Sequence, residues 1–173
     1  MKIIPWSAAL WFALGAIASA QDTIPAKLAG YDGVVSQCVV HTTKAFAKTM
    51  CDTLAKVAGA EAGKANIRHV HLGSADWTDG PGAYLEPSAD AGFQKPLYLT
   101  FYLRGTDGNP AGAHAWASLY VRQDDAELPG RLVLWEGATL GSGPPKAVAA
   151  AVANAVAEKM KPVFKALGEA MAD

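Results

Sequence analysis

The sequence predicts a two-layer α+β sandwich, in which a helix, a mostly antiparallel four-stranded sheet and a C-terminal helix follow one another, both helices covering one sheet face. Three observations carry this. Residues 97–104 and 113–122 alternate apolar and polar side chains on either side of a run dense in turn formers, the pattern of a β-hairpin. Apolar residues at helical spacing fill 44–58 and 148–167. The turns joining the last three strands are short, which makes those strands antiparallel and leaves the helices as a separate layer.

The chain opens with a secretory leader pattern over residues 1–20. Lys2 supplies a positive start, Ile3 to Ile17 is an uncharged apolar run, and Ala18-Ser19-Ala20 is the small-x-small site of a signal peptidase before Gln21. About 15 apolar residues are too few for a span that needs roughly 20, and Gln21, Asp22 and Thr23 follow without a basic stop. No cysteine stands at the cleavage point, so the expectation is a periplasmic or secreted protein with no stable membrane anchor after cleavage following Ala20. The remaining 21–173 segment is the size of one domain. Lys2 is the leader's single charge, so 14 of the 15 basic residues face 16 acidic ones in the mature chain, which offers no nucleic-acid or polybasic membrane footprint.

Export into an oxidising compartment, with an even cysteine count, predicts a Cys38–Cys51 disulfide. On one continuous helix they would lie about 20 Å apart, beyond the ~7 Å Cα limit of a disulfide. The helix therefore begins after Cys38, with Thr42 or Thr43 as N-cap, and the segment before it folds back along it. A reactive Cys38/His41 pair is disfavoured, since a catalytic thiol must stay reduced. The helix shows Phe46, Met50, Leu54, Val57 and Ala58 on one side and Lys44, Lys48, Asp52 and Lys56 on the other, and Gly59 and Gly63 are expected to end it.

A first strand is expected at 66–72. In the hairpin, Leu97, Leu99, Phe101 and Leu103 oppose Tyr98, Thr100, Tyr102 and Arg104, while Ala115, Ala117, Leu119 and Val121 oppose His114, Trp116, Ser118 and Tyr120. A fourth strand at 131–136 points Leu132 and Leu134 inward and Val133 and Trp135 outward. The final helix starts at Ser142-Gly143-Pro144 and carries Val148, Val152, Val156, Met160, Val163, Phe164 and Leu167, with Pro162 expected to kink or break it. Residues 73–96 form a long segment, either a functional loop or the host of a short strand at 83–86.

The hairpin of residues 96–103 (PLYLTFYL) and 115–123 (AWASLYVRQ), followed by 134–141 (LWEGATLG) and a long helix, resembles a group of small exported bacterial α+β proteins to which no function is assigned. Their layout is similar to the N-terminal domain of TolB and to auxiliary domains of envelope transport systems. The resemblance covers residues 43–167 in element order, implies the fold and carries over no catalytic residue.

Two constellations are candidates for function. The sheet face away from the helices collects Tyr98, Tyr102, His114, Trp116, Tyr120 and Trp135, the residue types that dominate partner, ligand or dimer interfaces. Cover by the 73–96 loop is the competing reading. His69-Val70-His71 places two imidazoles on one side of a strand, about 6 to 7 Å apart. With His114 as third ligand they would bind zinc or copper on the aromatic face. The 137–143 glycines before a helix suit capping and a tight turn better than anion binding, because Pro144 and Pro145 lack N–H donors. Asp76, Asp79 and Asp90 miss calcium-loop spacing, and no nucleophile elbow or paired zinc motif recommends an enzyme. The expectation is an exported, non-enzymatic binding or accessory protein with an envelope protein, a small ligand or a second copy of itself as partner, the alternative being a periplasmic zinc or copper protein.

Overall fold

A computed structural model describes residues 24, 28–41, 44–76, 92–106, 108, 110–123 and 130–172. Its elements are β1 (Gly33–His41), α1 (Lys44–Lys64), β2 (His69–Asp76), β3 (Pro96–Thr106), β4 (Ala111–Gln123), β5 (Gly130–Gly143) and α2 (Pro145–Met171). The class is α+β. The strands form one mixed sheet in the order β2-β1-β3-β4-β5, with β1 parallel to both of its neighbours and the β3-β4-β5 meander antiparallel.

Among the described residues the sheet thus has five strands, not four. The added strand, β1, lies between β2 and β3. Val34, Ser36 and Cys38 are fully buried toward the helices, while Val35 and Val39 are 2% and 3% exposed on the opposite face. A strand buried on both sides shows no alternation. The period-two rule therefore passes over it.

Both helices pack on one face around a single core. Phe46, Met50, Leu54 and Ala58 of α1 meet Val34 and Cys38, while the α2 stripe from Val148 to Leu167 joins Leu97, Leu99, Phe101, Leu103 and Leu119 in the same cluster. Ala113, Ala115 and Ala117 give β4 a low surface that lets α2 approach. Gly168 of α2 faces Ala65, just past the end of α1, whose carbonyl would stand 2.8 Å from an added Cβ.

Several boundaries differ from expectation. Gly59 lies inside α1, which runs to Lys64 and is stopped by Asn66, whose φ of 57° supplies the left-handed turn while Ile67 N–H donates to the Ala62 carbonyl at 2.8 Å. The first strand accordingly begins at His69 rather than 66. Residues 137–143 are not a tight turn but the second half of β5, paired with 111–117 of β4. Helix α2 starts at Pro145 with Pro144 as N-cap and runs without interruption through Pro162, an exposed position. The leader, Thr42 and Thr43, the 83–86 segment, Asp79 and Asp90 lie outside the described residues. No helix among the described residues is long and apolar enough to cross a membrane.

The Cys38–Cys51 disulfide is present, with Cα atoms 6.0 Å apart. It ties the centre of β1 to the second turn of α1. The chain reverses between the two cysteines, as the distance argument requires.

At the entrance to β1, the Asp32 carboxylate accepts hydrogen bonds from the backbone N–H groups of Gln94 (2.7 Å) and Lys95 (3.0 Å) and pairs with Arg68 at 3.1 Å. Arg68 also lies 3.9 Å over the Phe93 ring. These contacts join the starts of β1, β2 and β3.

Candidate functional site

Pairing across β1, β3, β4 and β5 sorts the helix-free face into rows. Val35, Tyr98, Tyr120 and Val133 form one; Gln37, Thr100, Ser118 and Glu136 the next; Val39, Tyr102, Trp116 and Ala138 the third; His41, Arg104, His114 and Leu140 the fourth. The second row is polar and lies between two rows bearing aromatic rings.

The rings are stacked in pairs. Tyr98 and Tyr120 have centroids 5.6 Å apart with planes 18° from parallel, and Tyr102 and Trp116 are 4.8 Å and 26° apart. Such cross-strand aromatic pairs hold the ladder at about 0.5–1.5 kcal/mol each. Arg131 reaches back from β5, donating to the Tyr102 hydroxyl at 2.9 Å with its guanidinium 5.2 Å from the Tyr120 ring. That hydrogen bond with Tyr102 raises the pKa of Arg131. Arg122 stands 5.8 Å from the Tyr98 ring.

Between these walls the floor is deeply placed. Thr100, Ser118 and Gln37 are 3%, 0% and 8% exposed. Thr100 and Tyr120 share a hydroxyl–hydroxyl bond of 3.3 Å, and Ser118 donates to Glu136 at 3.3 Å. Burial pushes the Tyr120 phenol up, partly offset by that bond to Thr100. Gln37 Nε2, in contrast, is buried without a hydrogen-bond partner. An unmatched buried amide donor costs about 1–3 kcal/mol and calls for an acceptor.

Of the six aromatic-face candidates, Tyr98, Tyr102, His114 and Trp116 are half-buried on this surface and Tyr120 is buried within it. Trp135 is the exception. A β-bulge between Leu119 and Tyr120 sets Val133 opposite Tyr120 and Trp135 opposite Leu119, so Leu134 and Trp135 both enter the helix-side core. Leu132, expected inward, lies on the edge strand opposite Val121 and is 51% exposed.

The three candidate metal ligands do not meet. His69 and His71 pair with Val34 and Ser36 of β1 and point to the helix side, whereas His114 pairs with Arg104 on the opposite face. Burial, followed by the Arg104 charge, lowers the His114 pKa. On the helix side the two β2 imidazoles share the hydroxyl of Ser36: His69 Nε2 is 2.8 Å and His71 Nδ1 2.9 Å from Oγ. One ring donates to the oxygen and the other accepts from it. His71 Nε2 is then 3.6 Å from Cys51 Sγ. Burial, then the neighbouring His71, holds His69 at about 4, while His71 is lowered by burial with the Ser36 backbone and Asp52 acting in the opposite direction. Both rings are neutral at pH 7.

Gln37, Ser36 and Arg131 were not among the residues expected from sequence. The first two sit in the unrecognised β1, and the contact of Arg131 with Tyr102 crosses from β5 to β3, a relationship that local alternation does not show.

No protein-family model and no curated protein sequence matches the chain. Among solved structures, a PelC dodecamer from Paraburkholderia phytofirmans is similar at 18% identity and a TM-score of 0.49, over 81% of this chain and 91% of that one. A PelC variant dodecamer from the same organism gives 16% identity and a TM-score of 0.49, over 80% and 92%.

Proposed function

We propose that this is an exported, non-enzymatic binding or accessory protein of the cell envelope, which takes a partner or small ligand on the helix-free face of its sheet. The observation that carries the reading is the polar row between two aromatic rows, with the buried Gln37 Nε2 donor unmatched at its floor. Tyrosine and tryptophan offer large contact area at low conformational cost, and a single oriented donor selects among occupants by requiring an acceptor. Arg122 and Arg131 flank the walls and favour an occupant with an anionic or π-rich edge.

Export is supported by the leader pattern of residues 1–20, by the Cys38–Cys51 disulfide and by the resemblance of the hairpin segment to small exported bacterial proteins. A photo-crosslinking residue at position 102, introduced into the full chain in intact cells, tests the binding reading. Adduct formation should be lost in Trp116→Ala and in Gln37→Leu, and kept when Lys56 on the opposite layer is changed to Ala. If the Trp116→Ala protein keeps both its thermal transition and its adducts, the face is not the binding surface. A homodimer adduct would identify the partner as a second copy.

A further inference from the structure

The Ser36, His69, His71 and disulfide cluster is buried polar structure that the aromatic face does not use. The ligand atoms of Cys38, Cys51 and His71 all lie within 4.8 Å of one another. We propose that these three residues, with the disulfide reduced, bind one thiophilic d10 cation, zinc being the representative case, and that disulfide formation closes the site.

The geometry fits. With Zn–S near 2.3 Å and Zn–N near 2.0 Å, tetrahedral angles set an S···N edge of about 3.5 Å and an S···S edge of about 3.8 Å. His71 Nε2 already stands 3.6 Å from Cys51 Sγ. The cysteine Cα atoms, 6.0 Å apart, allow the sulfurs to part by side-chain rotation alone. Reduction thus needs no backbone movement to open the site.

The surrounding hydrogen bonds select the correct ring nitrogen. Ligation through Nε2 requires the proton of His71 on Nδ1, where it is donated to Ser36 Oγ at 2.9 Å. Ser36 in turn donates to His69 Nε2 at 2.8 Å. A ligand histidine oriented by such a relay is the usual second shell of a metal site. Ser36 and His69 are therefore positioning residues, and His69 is not itself a ligand. Three protein ligands leave a fourth position for a water or an exogenous ligand, and His71 is half-buried on the edge strand β2.

The chemistry balances with a dithiol as reductant. The disulfide takes two electrons and two protons by thiol–disulfide exchange while the donor dithiol becomes a disulfide. Zn2+ then displaces both thiol protons, leaving two thiolates and a neutral imidazole on the metal. A two-electron oxidant of the disulfide class reforms the Cys38–Cys51 bond and expels the ion.

The test uses the full mature chain, oxidised or reduced under anaerobic conditions, titrated with Zn2+ against a chromophoric chelator. Co2+ serves as an optical probe of thiolate ligation. One equivalent should bind to the reduced protein, with affinity at least 100-fold above that of the oxidised form. His71→Ala should weaken binding by at least tenfold, and Ser36→Ala by roughly tenfold. Trp116→Ala should bind as wild type, which separates this site from the aromatic face. Should reduction unfold the chain, one equivalent of zinc should restore the helical signal. Failure to restore it, reduced protein that binds no better than Cys38→Ser/Cys51→Ser, or binding indifferent to His71→Ala would each overturn the proposal.

Discussion

The indole of Trp135 lies along its own strand over Gly137, so closely that a Cβ at 137 would stand 2.5 Å from the ring. Both residues are on the helix side because of the bulge opposite Leu119. Gly137→Ala should therefore destabilise the fold by about 1–3 kcal/mol, the usual range for overpacking. Urea unfolding measures it. Combining the change with Trp135→Leu should recover part of the loss, and strict additivity would show that the two side chains do not meet.

Removal of the disulfide by Cys38→Ala/Cys51→Ala should cost about 2–4 kcal/mol, since the bond closes a short loop between β1 and α1. Non-reducing mass analysis of protein isolated without reductant should show the intact bond as a loss of two hydrogens. Two free thiols in that material would contradict the pairing.

The histidines predict an acid-side loss of stability. His69 is held at about 4, and His71 and His114 are also lowered, against an unfolded value near 6.5. The fold prefers the neutral rings, so their contribution is present above the unfolded pKa and is lost as pH falls from about 6.5 toward 4. Allowing for solvent at the partly exposed rings, His69 accounts for on the order of 1–2 kcal/mol. Unfolding free energies for wild type and His69→Gln at about pH 4.5 and pH 7.5 isolate it from the carboxylates. Equal pH slopes in the two proteins would refute the assignment.

Asp32 should matter more than its surface position suggests. Asp32→Ala removes the acceptor of two backbone N–H groups and the partner of Arg68, an expected cost of about 1–3 kcal/mol. Hydrogen exchange at Gln94 and Lys95 should accelerate in the variant before the rest of β3 does. Unchanged exchange at those amides would dismiss the clamp.

The hairpin, both helices and their buried stripes were legible because each shows one wet and one dry side. Leu97 to Leu103 and Val148 to Leu167 fall where alternation and helical spacing place them. β1 was not, because Val34 and Val35 are both buried and alternation vanishes. The aromatic ladder was legible up to the bulge. One extra residue at Leu134 reverses the facing of Trp135 and the residues after it relative to simple alternation, and no local signal in the 131–136 sequence marks it. The histidine pair was seen, but its side of the sheet depends on the register of β2 against β1, a relationship between distant segments.

The position of β1 has a consequence for how the chain assembles. The β3-β4-β5 meander needs only contacts within residues 96–143. In contrast, β1 gains its neighbours by closing loops of 35 residues to His69 and 63 residues to Pro96. Loop closure costs conformational entropy before the paired strands return anything, so local hairpins precede distant parallel pairing. A strand emerging early from synthesis thus waits for the later half of the sequence. The central seam of the sheet is then among the last parts to zip, and oxidation of Cys38 with Cys51 before that moment would pin β1 to α1 while its place in the sheet is still open.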